Sequence, residues 1–276
     1  MQKINYPLLV TDFDGTLLRK DGMIADETYE AIAEYKKAGG NVAICTGRMF
    51  SSILPIVRKM GLTGLVSCFQ GAIVADIESG ALVVDGSLPN SEAVEICRQL
   101  EEQGHHIHVY DTNVFYCNVV DDLLAYYENI VKVKGVIVDK EPLYKFIEKE
   151  NISVRKILVM IHPEQREKVY NEFVERYGEK YYVTCGAPIL VELSNPAYTK
   201  ATALEKIAEY YGVPVEKTIA VGDSLNDLPM IERAGLGIAV GNAETALKER
   251  ADVVFSATNN EDAIGKIIRQ YGFEQN

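Results

Sequence analysis

The sequence predicts an α/β protein: a parallel sheet covered by helices on both faces, interrupted by an inserted α+β unit. Three observations carry this reading. Short apolar runs of strand length alternate with amphipathic helical stretches towards both ends of the chain, the pattern of a parallel sheet joined by right-handed crossovers. Between them the alternation gives way to hairpins mixed with helices, which marks an antiparallel unit. The 276 residues, 47% hydrophobic and 25% charged, suit one large domain or two modest ones of ordinary globular composition. The core is accordingly expected over 1–84 and 196–276, with the insertion over 85–195.

Each element has a local reason. Tyr6-Pro-Leu-Leu-Val10 is a short apolar run leading into Thr11-Asp-Phe-Asp-Gly-Thr16. A helix follows, with Asp26 as its expected N-cap and Tyr29, Ile32 and Ala33 on one face; Gly39-Gly40 ends it. Asn41-Val-Ala-Ile-Cys45 reads as the next buried strand, followed by Thr46-Gly-Arg48 and a helix to about Met60. In the insertion, Pro89 to Gly104 reads as a helix, and His106 to Tyr110 with Val114 to Val119 as a hairpin around Asp111-Thr-Asn113. Val154 to His162 reads as a strand, Pro163 to Gly178 as an amphipathic helix, and 180–185 with 189–194 as a second hairpin. After Asn195-Pro196 the alternation resumes: helices over 199–211, 226–234, 243–250 and 260–271, strands over 217–221, 236–240 and 252–255.

Bulk properties narrow the function classes. The formal net charge of −12 disfavours nucleic acid and anionic membranes as partners. It would also repel a phosphorylated ligand, so a phosphate site here needs a local cation or metal. The five cysteines are scattered, with no C-x-x-C pair, which suggests reduced, buried thiols rather than a zinc site or a disulfide framework. No apolar run approaches the roughly 18 to 20 residues of a membrane span. The opening MQKINYPLLVTDFD reaches an acidic motif before any signal-like stretch develops. A soluble, cytoplasmic protein is the expectation.

Two segments place acidic residues just after an expected strand: Asp12 and Asp14 after the first, Asp223 and Asp227 in Val221-Gly-Asp-Ser-Leu-Asn-Asp227. Ligands of open α/β sheets bind outside the carboxyl ends of strands. If these strands are neighbours, up to four carboxylates converge, which is unfavourable without a compensating cation. A hard dication, held by a few carboxylates together with water and substrate phosphate, resolves the conflict, and Mg2+ is the expected ion.

Asp12-Phe-Asp-Gly-Thr-Leu17, Thr46-Gly-Arg48, Lys200 and Gly222-Asp-Ser-Leu-Asn-Asp227 resemble the four motifs of the haloacid dehalogenase superfamily. The long insertion between the second and third resembles the large α/β cap of its Cof-like branch, as does the closing stretch from Ala239-Val-Gly-Asn-Ala243 to Asn260-Glu-Asp262. The resemblance implies a Rossmann-like core, a substrate-selecting cap, and a phosphatase acting on a small-molecule phosphate ester such as a sugar phosphate. By the same resemblance Asp12 is the nucleophile, forming an aspartyl-phosphate. Asp14 is the acid and base, with its backbone carbonyl on the metal. Thr46, Gly47, Lys200 and Asn226 hold the phosphoryl group, and Asp12, Asp14, Asp223 and Asp227 make the metal site.

Arg48 and Gln70 are weaker candidates for substrate contact. Many relatives read Asn-Gly-Ala where this chain has Gln70-Gly-Ala72, and Ser-Lys-Gly where it has Thr199-Lys-Ala201; both departures bear on substrate fit rather than chemistry. A phosphatase for a nucleotide, flavin or pyridoxal phosphate, or a phosphomutase, shares these residues. A catalytically idle regulator would not need all of them. His105, His106 and His108 lack the spacing of a metal site and are expected at the surface of the inserted unit.

Overall fold

The structure is a computed structural model that describes residues 3–274. The chain divides into two compact units, one of Met1–Gly47, Ile56–Val83 and Thr199–Asn276, the other of Arg48–Pro55 and Val84–Tyr198.

The chain begins with β1 (Leu8–Thr11), α1 (Asp26–Lys37), β2 (Asn41–Ile44), α2 (Phe50–Lys59), β3 (Leu65–Cys68), β4 (Ile73–Asp76) and β5 (Leu82–Asp85), which belong to the first unit except for the first part of α2 and the end of β5. The second unit contributes α3 (Asn90–Glu102), β6 (His106–Tyr110), β7 (Phe115–Cys117), α4 (Asp122–Val131), β8 (Val136–Ile137), α5 (Leu143–Lys149), β9 (Lys156–Met160), α6 (Arg166–Tyr177), β10 (Tyr182–Thr184) and β11 (Leu190–Ser194). The chain then returns through α7 (Lys200–Tyr211), β12 (Thr218–Gly222), α8 (Leu228–Arg233), β13 (Leu236–Ala239), α9 (Thr245–Lys248), β14 (Val253–Val254) and α10 (Ala263–Ile267).

The first unit is built on a parallel sheet in the order β14-β13-β12-β1-β2. Strands β1 and β12 are buried along their whole length, as a parallel sheet covered on both faces requires. The register sets Thr11 beside both Val221 and Ile44. The residues that follow β1, β2 and β12 therefore emerge together at one edge. In α1, Asp26 is the first helical residue; Ala25 occupies the cap and makes no side-chain cap bond. The buried face is Thr28, Ala31, Ile32 and Tyr35; Ile32 is buried as expected but Tyr29 and Ala33 are not, because the i, i+3, i+4, i+7 set containing Tyr35 buries the largest ring. A small sheet β3-β4-β5 falls in a stretch for which the sequence reading names no strands.

The second unit is a six-stranded sheet, β10-β11-β9-β6-β7-β8, antiparallel except for the β7–β8 pair. The β6–β7 and β10–β11 hairpins lie where the sequence places them. Alternation along the strands segregates two faces. Ile107, Val109, Ile157, Val159, Val191 and Leu193 join a core with Ile96, Leu100, Leu143 and Phe173 of the helices. The opposite face carries buried polar side chains, among them His106, His108, Lys156, Thr184 and Glu192.

Candidate active site

Asp12 follows β1 directly, and its N–H extends the ladder to the Val221 carbonyl at 2.9 Å. Asp223 follows β12, the strand paired with β1. Oxygens of Asp12, Asp223 and Asp227 lie within 4.8 Å of one another, so three of the four expected metal-site carboxylates converge. The fourth, Asp14, is exposed at the head of the turn and its carboxylate stands outside this group.

Lys200 opens α7 behind a Thr199 cap, with Thr199 N donating to Thr202 Oγ1 at 2.9 Å and Thr202 N to Thr199 Oγ1 at 3.4 Å. Its side chain is fully buried, and Nζ donates to Asp12 Oδ1 at 2.5 Å and to Asp227 Oδ1 at 2.6 Å. Asp227 uses its other oxygen as a loop clamp: Oδ2 accepts Asp223 N at 2.9 Å and Ser224 N at 3.1 Å. Asp223 is oriented by Thr16, whose hydroxyl donates to Oδ1 at 2.7 Å, and by Ser224. Gly15 (φ +81) passes so close that a Cβ there would stand 2.5 Å from Asp223 Oδ2, which reserves the position for glycine.

The electrostatics follow from three acids sharing one ammonium. Burial, then the charge of Asp227, pushes Asp12 well above the usual carboxylate range, against the pull of Lys200. Asp223 is pushed up to about 6 by the same causes. Burial acts to lower Lys200, but the charges of Asp12 and Asp227 outweigh it and keep the ammonium charged. The set is under-neutralised and its donors are all hard oxygens, which suits a divalent cation of the magnesium type.

Thr46 and Gly47 lie in the loop between β2 and α2, ahead of the first turn of that helix. Thr46 is buried and held at both ends of its backbone: its N–H donates to Ser67 O at 3.0 Å and its carbonyl accepts Gln70 N at 3.1 Å. Asn226 donates Nδ2 to Gln70 Oε1 at 3.1 Å, while its own Oδ1 is buried without a partner. Gln70 is thus buried beside the candidate site residues. Phe69 and Gln70 both adopt left-handed backbone (φ 50 and 58), which costs on the order of 1–3 kcal/mol per residue and persists where the surroundings impose it. Arg48 belongs to the second unit, where its charge acts on the Tyr127 phenol.

Two of the three histidines are not where the sequence reading put them, while His105 stays partly exposed. His106 and His108 are buried, not at the surface. His106 Nδ1 meets Asp121 Oδ2 at 2.9 Å, and the two Nε2 atoms are 3.0 Å apart. They fill the polar face of the second sheet, a placement set by cross-strand packing that no motif announces.

Comparisons with known proteins agree with this geometry. The sequence profile of the haloacid dehalogenase-like hydrolases matches residues 9–268. Two relatives from Bacillus subtilis (strain 168), YitU and YcsE, are each 30% identical and are named 5-amino-6-(5-phospho-D-ribitylamino)uracil phosphatases. The first alignment covers 96% of this chain and 97% of YitU, the second 98% and 97% of YcsE. The solved structure of a haloacid dehalogenase-like hydrolase from B. subtilis superposes with a TM-score of 0.84 at 26% identity, covering 96% of this chain and 99% of that one. With four motifs assembled at one sheet edge and a match along nearly its whole length, the chain belongs to the haloacid dehalogenase-like hydrolases and is a phosphatase of that family.

Proposed function

We propose that this enzyme is a magnesium-dependent phosphomonoesterase that works through an aspartyl-phosphate on Asp12. The observation that carries the reading is the Lys200 ammonium clamped between Asp12 and Asp227 inside the three-carboxylate cluster. Lys200 takes Oδ1 of Asp12, which orients the carboxylate and leaves its second oxygen for attack on phosphorus. That attack forms the Asp12 Oδ–P bond as the bond from phosphorus to the leaving oxygen breaks, and Asp14, exposed to solvent, gives that oxygen its proton. Water then attacks the phosphorus of the acyl phosphate, returning the Asp12 carboxylate and a proton to Asp14. Thr46, Gly47 and Asn226 bind the phosphoryl oxygens, and Lys200 balances their charge.

Asp12 and Asp223 would hold the magnesium ion, with the Asp14 carbonyl and with Asp227 behind them. The ion supplies Lewis-acid polarisation of the phosphoryl group and offsets the excess of carboxylates. Residues of the second unit select the leaving group. The substrate class is a small phosphorylated polyol or sugar. A ring-bearing ester is favoured as a second reading by the two Bacillus relatives, which by name act on a phosphoribityl group attached to a pyrimidine. All five cysteines are free thiols, which suits the reducing cytoplasm where we place the enzyme.

Phosphate release from an aryl phosphate, with magnesium or EDTA, tests the chemistry in wild type and Asp12→Asn. Release that needs magnesium and is lost in Asp12→Asn is expected; turnover that survives the substitution would sink the nucleophile assignment. Hexose phosphates, the ribitylaminouracil phosphate and pyridoxal phosphate, compared by kcat/KM, then separate the substrate readings.

A further inference from the structure

The turn between β3 and β4 touches three of the loops that make the proposed phosphate site. Gln70 N donates to Thr46 O at 3.1 Å, in the loop after β2. Its Nε2 lies 2.4 Å from the point where a Cβ on Gly47 would stand, so the carboxamide fills the space glycine leaves open. Its Oε1 accepts Asn226 Nδ2 at 3.1 Å, in the loop after β12. The next residue, Gly71 (φ +106), packs so tightly on the start of α7 that a Cβ would come within 2.2 Å of Thr199 O. These contacts are made by a buried turn in which an aromatic residue and a glutamine hold consecutive left-handed conformations, the kind of outlier that surrounding structure must enforce.

We propose that Gln70 is a positioning residue that acts through Asn226. A carboxamide nitrogen carries two hydrogens. Gln70 takes one of those on Asn226 and so fixes the plane in which the other, the donor for a phosphoryl oxygen, is presented. Asn226 Oδ1, buried without a partner, marks the same side chain as one whose hydrogen bonds the protein alone does not complete. Gln70 has the reach to hold Asn226 while its backbone stays bonded to Thr46. It therefore sets the spacing of the two phosphate-binding loops without touching the reacting atoms. This rests on the phosphatase reading above.

The test is a double-mutant cycle on aryl phosphate hydrolysis at saturating magnesium, with thermal unfolding of every variant. Gln70→Gly, which suits a left-handed backbone, is expected to melt at or above the wild-type temperature yet lose about tenfold in kcat/KM, the worth of one hydrogen bond. In an Asn226→Ala background the same change is expected to cost less than about twofold, because the residue through which it acts is gone. Wild-type kcat/KM in Gln70→Gly, or a full tenfold loss persisting beside Asn226→Ala, overturns the proposal. Should Gln70→Gly fail to melt cooperatively, Gln70→Ala goes through the same cycle and is judged by the same outcomes. Asp12→Asn in the same assay reports on the phosphatase reading independently, since that reading fails only if turnover survives the loss of the nucleophile.

Discussion

Replacing Lys200 by methionine gives the sharpest test of how the site is held together. The ammonium sits 2.5 Å from Asp12 and 2.6 Å from Asp227, with all three side chains at most 7% exposed. Removing one partner of a buried pair costs about 3–5 kcal/mol, because the remaining charge is left without compensation. Here three carboxylates remain, and the fold escapes part of the cost by protonating one of them. Holding a carboxyl neutral when its unfolded pKa is about 3.9 costs about 1.4 kcal/mol per pH unit above that value. The escape itself costs roughly 5–6 kcal/mol at pH 8, so the full loss of about 3–5 kcal/mol stands there. At pH 5.5 it costs only about 2 kcal/mol, which caps the loss. The sign follows: a carboxyl raised in the folded state favours folding at low pH and loses that contribution as pH rises.

Lys200→Met should accordingly melt about 6–20 °C below wild type at pH 8 in EDTA, and the gap should narrow on moving to pH 5.5. Circular dichroism melts of both proteins at the two pH values measure this directly. A gap under about 2 °C at pH 8, or one that widens in acid, would show that the ammonium does not hold the carboxylates as argued.

Three further changes probe other parts of the molecule. Gly71→Ala puts a Cβ 2.2 Å from the Thr199 carbonyl at φ +106 and should cost more than about 2 kcal/mol while lowering kcat through Lys200; Gly22→Ala, at φ +77 with open space around it, should cost only about 1 kcal/mol in urea unfolding. Lys156→Met strands Glu192, its buried partner at 2.5 Å, and should destabilise by about 3–5 kcal/mol, whereas Lys156→Met with Glu192→Leu should return most of the loss. His108 is held well below the usual imidazole range by burial and by His106 and Lys156, so its contribution to stability is present above about pH 6.5 and declines by up to about 1.4 kcal/mol per unit as pH falls. His108→Phe should flatten that slope in denaturant titrations at pH 7.5, 6 and 5, and an unchanged slope would assign the acid sensitivity to other groups.

The carboxylates were legible in the sequence for a physical reason. Asp12 and Asp223 each follow an apolar strand, and strand ends are where an α/β sheet presents side chains to ligands. What no pattern announced was the turn that joins Gln70 to the loops of Thr46 and Asn226. Leu65 to Ala75 is a mostly apolar stretch interrupted by Ser67 and Gln70-Gly71, and non-glycine residues at positive φ have no sequence signature when one of them is phenylalanine. The α4 helix was missed although its signal is present, since Asp121 caps it by accepting Leu124 N at 2.9 Å and apolar residues follow. Burial of His106 and His108 was invisible because cross-strand register, not spacing, decides which face of a strand is covered.

The division of labour among the acids follows from counting their hydrogen bonds. Asp227 spends Oδ1 on Lys200 and Oδ2 on two backbone amides, so both its oxygens already serve to shape the loop and hold the ammonium. Asp12 gives one oxygen to Lys200, and the side chain of Asp223 receives, among the described residues, only hydroxyl donors from Thr16 and Ser224. Hydroxyl hydrogens can rotate away when a cation arrives, whereas backbone amides cannot. Asp12 and Asp223 are therefore the carboxylates with coordinating capacity to spare, and Asp227 is the one whose charge is committed to the protein. That assignment explains how three acids can crowd around one lysine: one acid neutralises the lysine, and the other two would be neutralised by the proposed magnesium ion.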